Sequence, residues 1–117
     1  TDETRNLVDK AYLGSFNKPI YLINTARGQC VDTASLMDAI DKGKALGAAL
    51  DVLEYENLSF ENLDAAALPE PFRRLISCNK VILSPHIAGW TYESNYKMAR
   101  ILAEKIKNIW QDLRTII

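Results

Sequence analysis

Three short apolar runs, PIYLIN (19–24), ALGAALD (45–51) and KVILS (80–84), constrain the fold more than any other feature of the chain. Each has the length of one strand. None shows the apolar–polar alternation of a half-exposed strand, so each reads as a strand buried on both faces, the habit of parallel sheets.

The segments between them carry helical signals. Asp9 is placed to cap a short helix through KAYLGSF. Asp32 stands as N-cap before TASLMDAIDK, where Leu36, Met37 and Ile40 recur at helical spacing and Gly43 supplies a stop. An irregular, acidic stretch (52–71) leads into a short helix over PFRRLI. From Thr91, a further N-cap, the positions Tyr96, Ala99, Leu102, Ile106, Ile109 and Leu113 predict a helix of roughly 20 residues or more, ~30 Å long at 1.5 Å per residue. Strands alternating with helices predict an α/β fold with a parallel sheet. Three strands make a thin sheet, and the last helix carries more apolar surface than such a sheet can cover. The chain also opens on Thr1, so the expectation is a piece of a larger fold.

Composition removes several function classes. With 14 basic against 15 acidic side chains, nothing points to a nucleic-acid partner, and no apolar run approaches the ~20 residues of a membrane span. No secretory signal opens the chain, and Cys30 and Cys78 with a single histidine give neither a disulfide framework nor a zinc site. Two reduced thiols in a cytoplasmic protein is the expectation.

In an open parallel sheet, ligands bind beyond the carboxyl ends of the strands. The first run is followed there by NTARG with Arg27, the second by Asp51 and then Glu56, the third by SPHIAG with His86. Taken singly, each residue has an ordinary structural use: a solvated turn cation, a turn former, an acidic surface group, a hydrogen-bonded turn histidine. Their common edge points to chemistry. A guanidinium grips a carboxylate through two parallel hydrogen bonds. An imidazole held by a carboxylate keeps one tautomer and exchanges a proton with a carbonyl or alcohol near neutral pH. The set suits hydride transfer on a 2-keto or 2-hydroxy acid. A Ser/His/Asp nucleophile is the weaker reading, because Ser84 lacks a G-x-S-x-G setting.

INTARGQCVD, GAALDVLEYE and VILSPHIAGWT, in this order, closely resemble the three signature segments of the D-isomer-specific 2-hydroxyacid dehydrogenases, a family that includes phosphoglycerate dehydrogenases. TDETRNLV resembles the family's threonine-rich loop. The resemblance implies a partial Rossmann-type parallel sheet, the second half of a doubly wound nucleotide-binding domain (1–90), followed by a long C-terminal helix (91–117) returning to a substrate domain. It implies Arg27 as the substrate-binding arginine, Glu56 as the carboxylate paired with histidine, and His86 as the general acid/base. Thr25, Ala26, Arg27, Asp51 and the loop His86, Ile87, Ala88, Gly89 resemble positions on the nicotinamide side of NAD, with Asp51 toward the carboxamide. NADP stays open, as does the identity of the 2-hydroxy or 2-keto acid, and a homodimer is implied. A second reading is an NAD(H)-sensing binding module of the corepressor type that looks like this family.

The pattern departs from the family in places. Asn57 stands where relatives often have proline, and Trp90 adds a large aromatic beside the histidine loop. The five glycines, at 14, 28, 43, 47 and 89, nowhere give the G-x-G-x-x-G spacing of a pyrophosphate loop. The 117 residues alone are therefore expected to be inactive.

Overall fold

In a computed structural model of the chain the three apolar runs form β1 (Ile20–Asn24), β2 (Ala45–Leu50) and β3 (Val81–Leu83), parallel and in the order β1-β2-β3. The structure describes residues 2–55 and 68–116, with side chains as far as 111. Helix α1 (Lys10–Gly14) starts where Asp9 accepts the Tyr12 N–H at 2.8 Å. Helix α2 (Thr33–Asp41) stops at Gly43, whose φ of +70° suits a residue without Cβ. The Gly43 and Lys44 N–H groups turn back to the Ile40 and Ala39 carbonyls, the bond pair of a Schellman stop. Helix α3 (Glu70–Ser77) carries Pro71 in its first turn, where a missing N–H leaves no bond unmade.

Capping at Asp32 differs from the sequence expectation. Asp32 occupies the N-cap position of α2, but its carboxylate accepts the Ser35 hydroxyl. The Thr33 N–H goes instead to Glu54 Oε2 at 3.0 Å, from the segment after β2.

Consecutive strand order with helical crossovers is the arrangement of the second half of a doubly wound sheet. Helix α2 packs on β2 and touches α1 and α3, so the helices share one core with one face of the sheet. Leu36, Met37, Ile40, Phe72 and Leu75 meet Ala48 and Leu50 there. Arg74 joins the helices at the surface, donating to Asp41 at 2.6 Å and Asp38 at 3.4 Å.

The other face corrects the reading of strands buried on both sides. Register places Ile23, Ala49 and Ile82 in one row, with Tyr21 and Gly47 in the row before. Tyr21, Ile23 and Ile82 are 73%, 72% and 71% exposed within the chain. Parallel sheets are stable where both faces are covered, and exposed apolar patches promote association. The 117-residue polypeptide by itself is therefore expected to self-associate at micromolar concentration. Light scattering checks this, and a monodisperse monomer there would show that the face tolerates water.

Two compact units divide the chain, Thr1–His86 and Ile87–Ile117. In the second, Thr91 Oγ1 accepts the Ser94 N–H at 3.0 Å and starts helix α4 (Tyr92–Ile116) of 25 residues. Tyr92 and Tyr96 stack one turn apart, and Leu102, Ile106 and Ile109 form an exposed stripe. The Leu113 side chain lies outside the described residues. Among the described residues no helix is long and apolar enough to cross a membrane.

Candidate active site

The strands end at Asn24, Leu50 and Leu83, and main-chain bonds interlace the segments just beyond them. Asp51 N–H donates to the Asn24 carbonyl at 2.9 Å, and Ser84 N–H to the Leu50 carbonyl at 3.0 Å. Thr25–Arg27, Asp51 and Ser84–His86 thus start from adjacent positions along the carboxyl edge.

Asp51 is buried, and its Oδ1 accepts the Ser84 hydroxyl at 2.5 Å, a charge-assisted bond. Ser84, a poor nucleophile by its sequence setting, is in the structure a hydroxyl donor to Asp51. Two residues on, His86 has φ +56°, and its N–H bonds the Ser84 carbonyl at 3.0 Å. That bond closes a three-residue turn around Pro85, whose ring-fixed φ suits an inverse γ-turn. The exposed imidazole is therefore carried on a backbone held in the left-handed region.

Arg27 is exposed on an extended backbone, with Nη1 donating to the Ala26 carbonyl at 2.6 Å. Its turn is tied down on every side. Asn24, buried at the end of β1, accepts the Ala26 N–H and donates to the Arg27 carbonyl. The 3₁₀ turn Gly28–Cys30 follows, and residues 6–8 run beside it through Asn6 N–H to Gln29 O and Val8 N–H to Cys30 O. Gly28 lies so close to the segment after β2 that a Cβ would fall 1.8 Å from the Leu53 carbonyl oxygen.

That segment is itself anchored. Glu54 holds the Thr33 N–H, and the Tyr55 ring meets Phe72 with centroids 5.4 Å apart. Burial raises the Tyr55 phenol above its ordinary pKa, with the Glu54 carboxylate adding to the shift. Glu56, the expected partner of the histidine, lies outside the described residues. Ile87, Ala88 and Gly89 belong to the second unit, where Trp90 N–H closes a turn on Ile87 O.

Asn24, Gly28, Glu54 and Ser84 were missed as site-building residues. Only Asn24 carried a readable signal: an Asn three residues before an Arg-Gly pair at a strand end favours an Asx turn.

The donor set fits the nicotinamide end of a dinucleotide. Asp51 is a buried carboxylate at this edge, and a carboxylate is an acceptor of the kind an amide N–H donates to. The turn 25–27 is exposed beside it. Among the described residues no cluster of histidine, cysteine or carboxylate side chains could hold a metal ion.

Comparison with known proteins identifies the family and the fold. Residues 1–88 match the family model of the D-isomer specific 2-hydroxyacid dehydrogenase, NAD binding domain. A glyoxylate reductase of Thermofilum pendens is 40% identical over 106 residues, covering 91% of this chain and 28% of that protein. A D-lactate dehydrogenase of Treponema pallidum is 34% identical over 93 residues, covering 78% of this chain and again 28% of the relative. The chain thus spans less than a third of these relatives. Among solved structures, the D-lactate dehydrogenase of Lactobacillus jensenii with NAD+ superimposes with a TM-score of 0.69 at 34% identity, over 86% of this chain and 31% of that one. A 2-hydroxyacid dehydrogenase of Xanthobacter autotrophicus in complex with NADPH gives 0.58 at 33%, over 75% and 25%.

Proposed function

The chain belongs to the D-isomer specific 2-hydroxyacid dehydrogenase family, whose NAD binding domain it matches, and from that premise we propose that the protein interconverts small D-2-hydroxy acids and 2-keto acids. The observation that carries the proposal is the edge where Arg27, Asp51 and the Ser84–His86 turn leave three adjacent parallel strands. Residues 1–90 act as nucleotide-binding domain, and 91–117 form the helix that returns to a substrate domain. Thr25, Ala26 and Asp51 would hold the nicotinamide end, with Asp51 accepting from the carboxamide. A bound reduced nicotinamide supplies the hydride. Arg27 grips the substrate carboxylate in two parallel bonds and orients the keto carbon. His86 donates a proton to the carbonyl oxygen and takes it back in the reverse direction, with Glu56 holding the imidazole. The protein works as a homodimer in the cytoplasm, where Cys30 and Cys78 stay reduced.

Glyoxylate and pyruvate are the first substrates to try, given the relatives' names. Consumption of NADH dependent on either acid supports the enzyme reading. NADH binding without turnover of any 2-keto acid favours the corepressor-type module instead. Arg27→Lys replaces a planar fork with a point charge, so kcat/KM is expected to fall by about tenfold or more. Unchanged kinetics on every accepted acid would remove Arg27 from this role.

A further inference from the structure

Asn24 is 7% exposed, and a polar side chain buried this far needs its hydrogen bonds. Both lie within the next three residues. Oδ1 accepts the Ala26 N–H at 3.1 Å, and Nδ2 donates to the Arg27 carbonyl at 3.0 Å. The amide has one orientation that satisfies both, since an N–H must face the oxygen and a carbonyl the nitrogen. Its own main-chain carbonyl accepts from Asp51. Thr25, Ala26 and Arg27 are exposed, so packing does little to shape the turn. A side chain fixed in the sheet spans the turn from inside instead.

We propose that Asn24 is a positioning residue for Arg27: its amide sets where the Arg27 backbone stands and so the direction in which the guanidinium leaves the turn. This rests on Arg27 being the grip on the substrate carboxylate. A bidentate grip is demanding, because it holds only within about 0.5 Å and 10–20° of the productive geometry. Aspartate at position 24 has the same shape and keeps the acceptor for Ala26. It also sets an oxygen against the Arg27 carbonyl, which opens one side of the turn. Alanine removes both bonds, and water can take up the freed groups because Ala26 and Arg27 are exposed.

The test is a double-mutant cycle in the full-length protein, pairing Asn24→Asp with Arg27→Ala. KM and kcat for pyruvate and glyoxylate are measured alongside NADH affinity and Tm. Asn24→Asp alone is expected to raise KM for the keto acid about tenfold, the scale of one or two ordinary hydrogen bonds, with kcat within about threefold. On top of Arg27→Ala it should add nothing to KM, while its effect on Tm persists in both backgrounds. The same fold loss of KM in both backgrounds, or none in either, overturns the proposal, because Asn24 then acts on the fold alone. Should Asn24→Asp not accumulate as folded protein, Asn24→Ala carries the same cycle with the same criteria. If Arg27→Ala itself leaves KM unchanged for every acid, the reading of Arg27 fails and the proposal with it, a result that the additive cycle cannot mimic.

Discussion

Replacing His86 with asparagine is expected to lower kcat for 2-keto acid reduction by about 10³-fold while leaving Tm unchanged. The magnitude is that of a positioned proton donor, which contributes 10²–10⁴-fold in typical enzymes. Asparagine is chosen for the backbone. His86 sits at φ +56°, where most side chains crowd the following carbonyl and asparagine is among the few that settle readily. The side chain is exposed, so the change leaves no cavity. The Ser84 carbonyl keeps its bond, because that bond comes from the main-chain N–H of residue 86. What asparagine lacks is a group that releases and recovers a proton near neutral pH. KM for the keto acid and the affinity for NADH should move by no more than a few-fold, since Arg27 and Asp51 are untouched. Stopped-flow single turnovers of NADH with pyruvate or glyoxylate isolate the chemical step. A rate within threefold of wild type would transfer the proton to another group and leave the histidine a turn residue.

Local signals were the legible part of this chain. Asp9, Gly43 and Thr91 announce helix ends because a cap is decided by residues three or four apart, and each does so in the structure. The apolar runs gave strand positions, and their alternation with helices gave the parallel pairing. They also misled about burial. Tyr21, Ile23 and Ile82 are apolar and exposed, and hydropathy cannot say which of two apolar faces the rest of a chain will cover. Tertiary contacts were harder still. Asp32 has the composition of a cap, yet Glu54, 21 residues away, makes the bond to Thr33. Of the proposed site residues, Arg27, Asp51 and His86 stand out in the sequence because their chemistry is distinctive and they follow strands. Asn24 serves Arg27 through local bonds that only an Asx-turn signal announces, and Ser84 serves Asp51 through a contact 33 residues apart that no spacing encodes.

Gly28→Ala is expected to destabilise the protein by about 3 kcal/mol, at the upper end of overpacking costs. The reason is space rather than φ. A Cβ at position 28 would lie 1.8 Å from Leu53 O, 2.0 Å from Leu53 C and 2.6 Å from Glu54 N, all main-chain atoms that cannot swing aside as a side-chain tip can. One segment must retreat from the other, and neither is loose. On the Gly28 side, Asn6 and Val8 hold Gln29 and Cys30 by main-chain bonds, and Asn24 holds Arg27. On the Leu53 side, Glu54 holds the first turn of α2 and Tyr55 lies against Phe72. Separation therefore breaks hydrogen bonds or uncovers a ring, and each loss is on the order of 1 kcal/mol. Gly14→Ala is the matched control with the opposite sign. A Cβ there meets nothing within 4 Å, and alanine in the last turn of α1 gains helix propensity, up to ~1 kcal/mol of stability. Denaturant midpoints at constant m-value give both numbers. Because Gly28 adjoins Arg27, the surviving folded fraction of Gly28→Ala should also show a raised KM for the keto acid. A midpoint equal to wild type would mean that the two segments stand further apart in solution, and that the carboxyl edge is not clamped at this point.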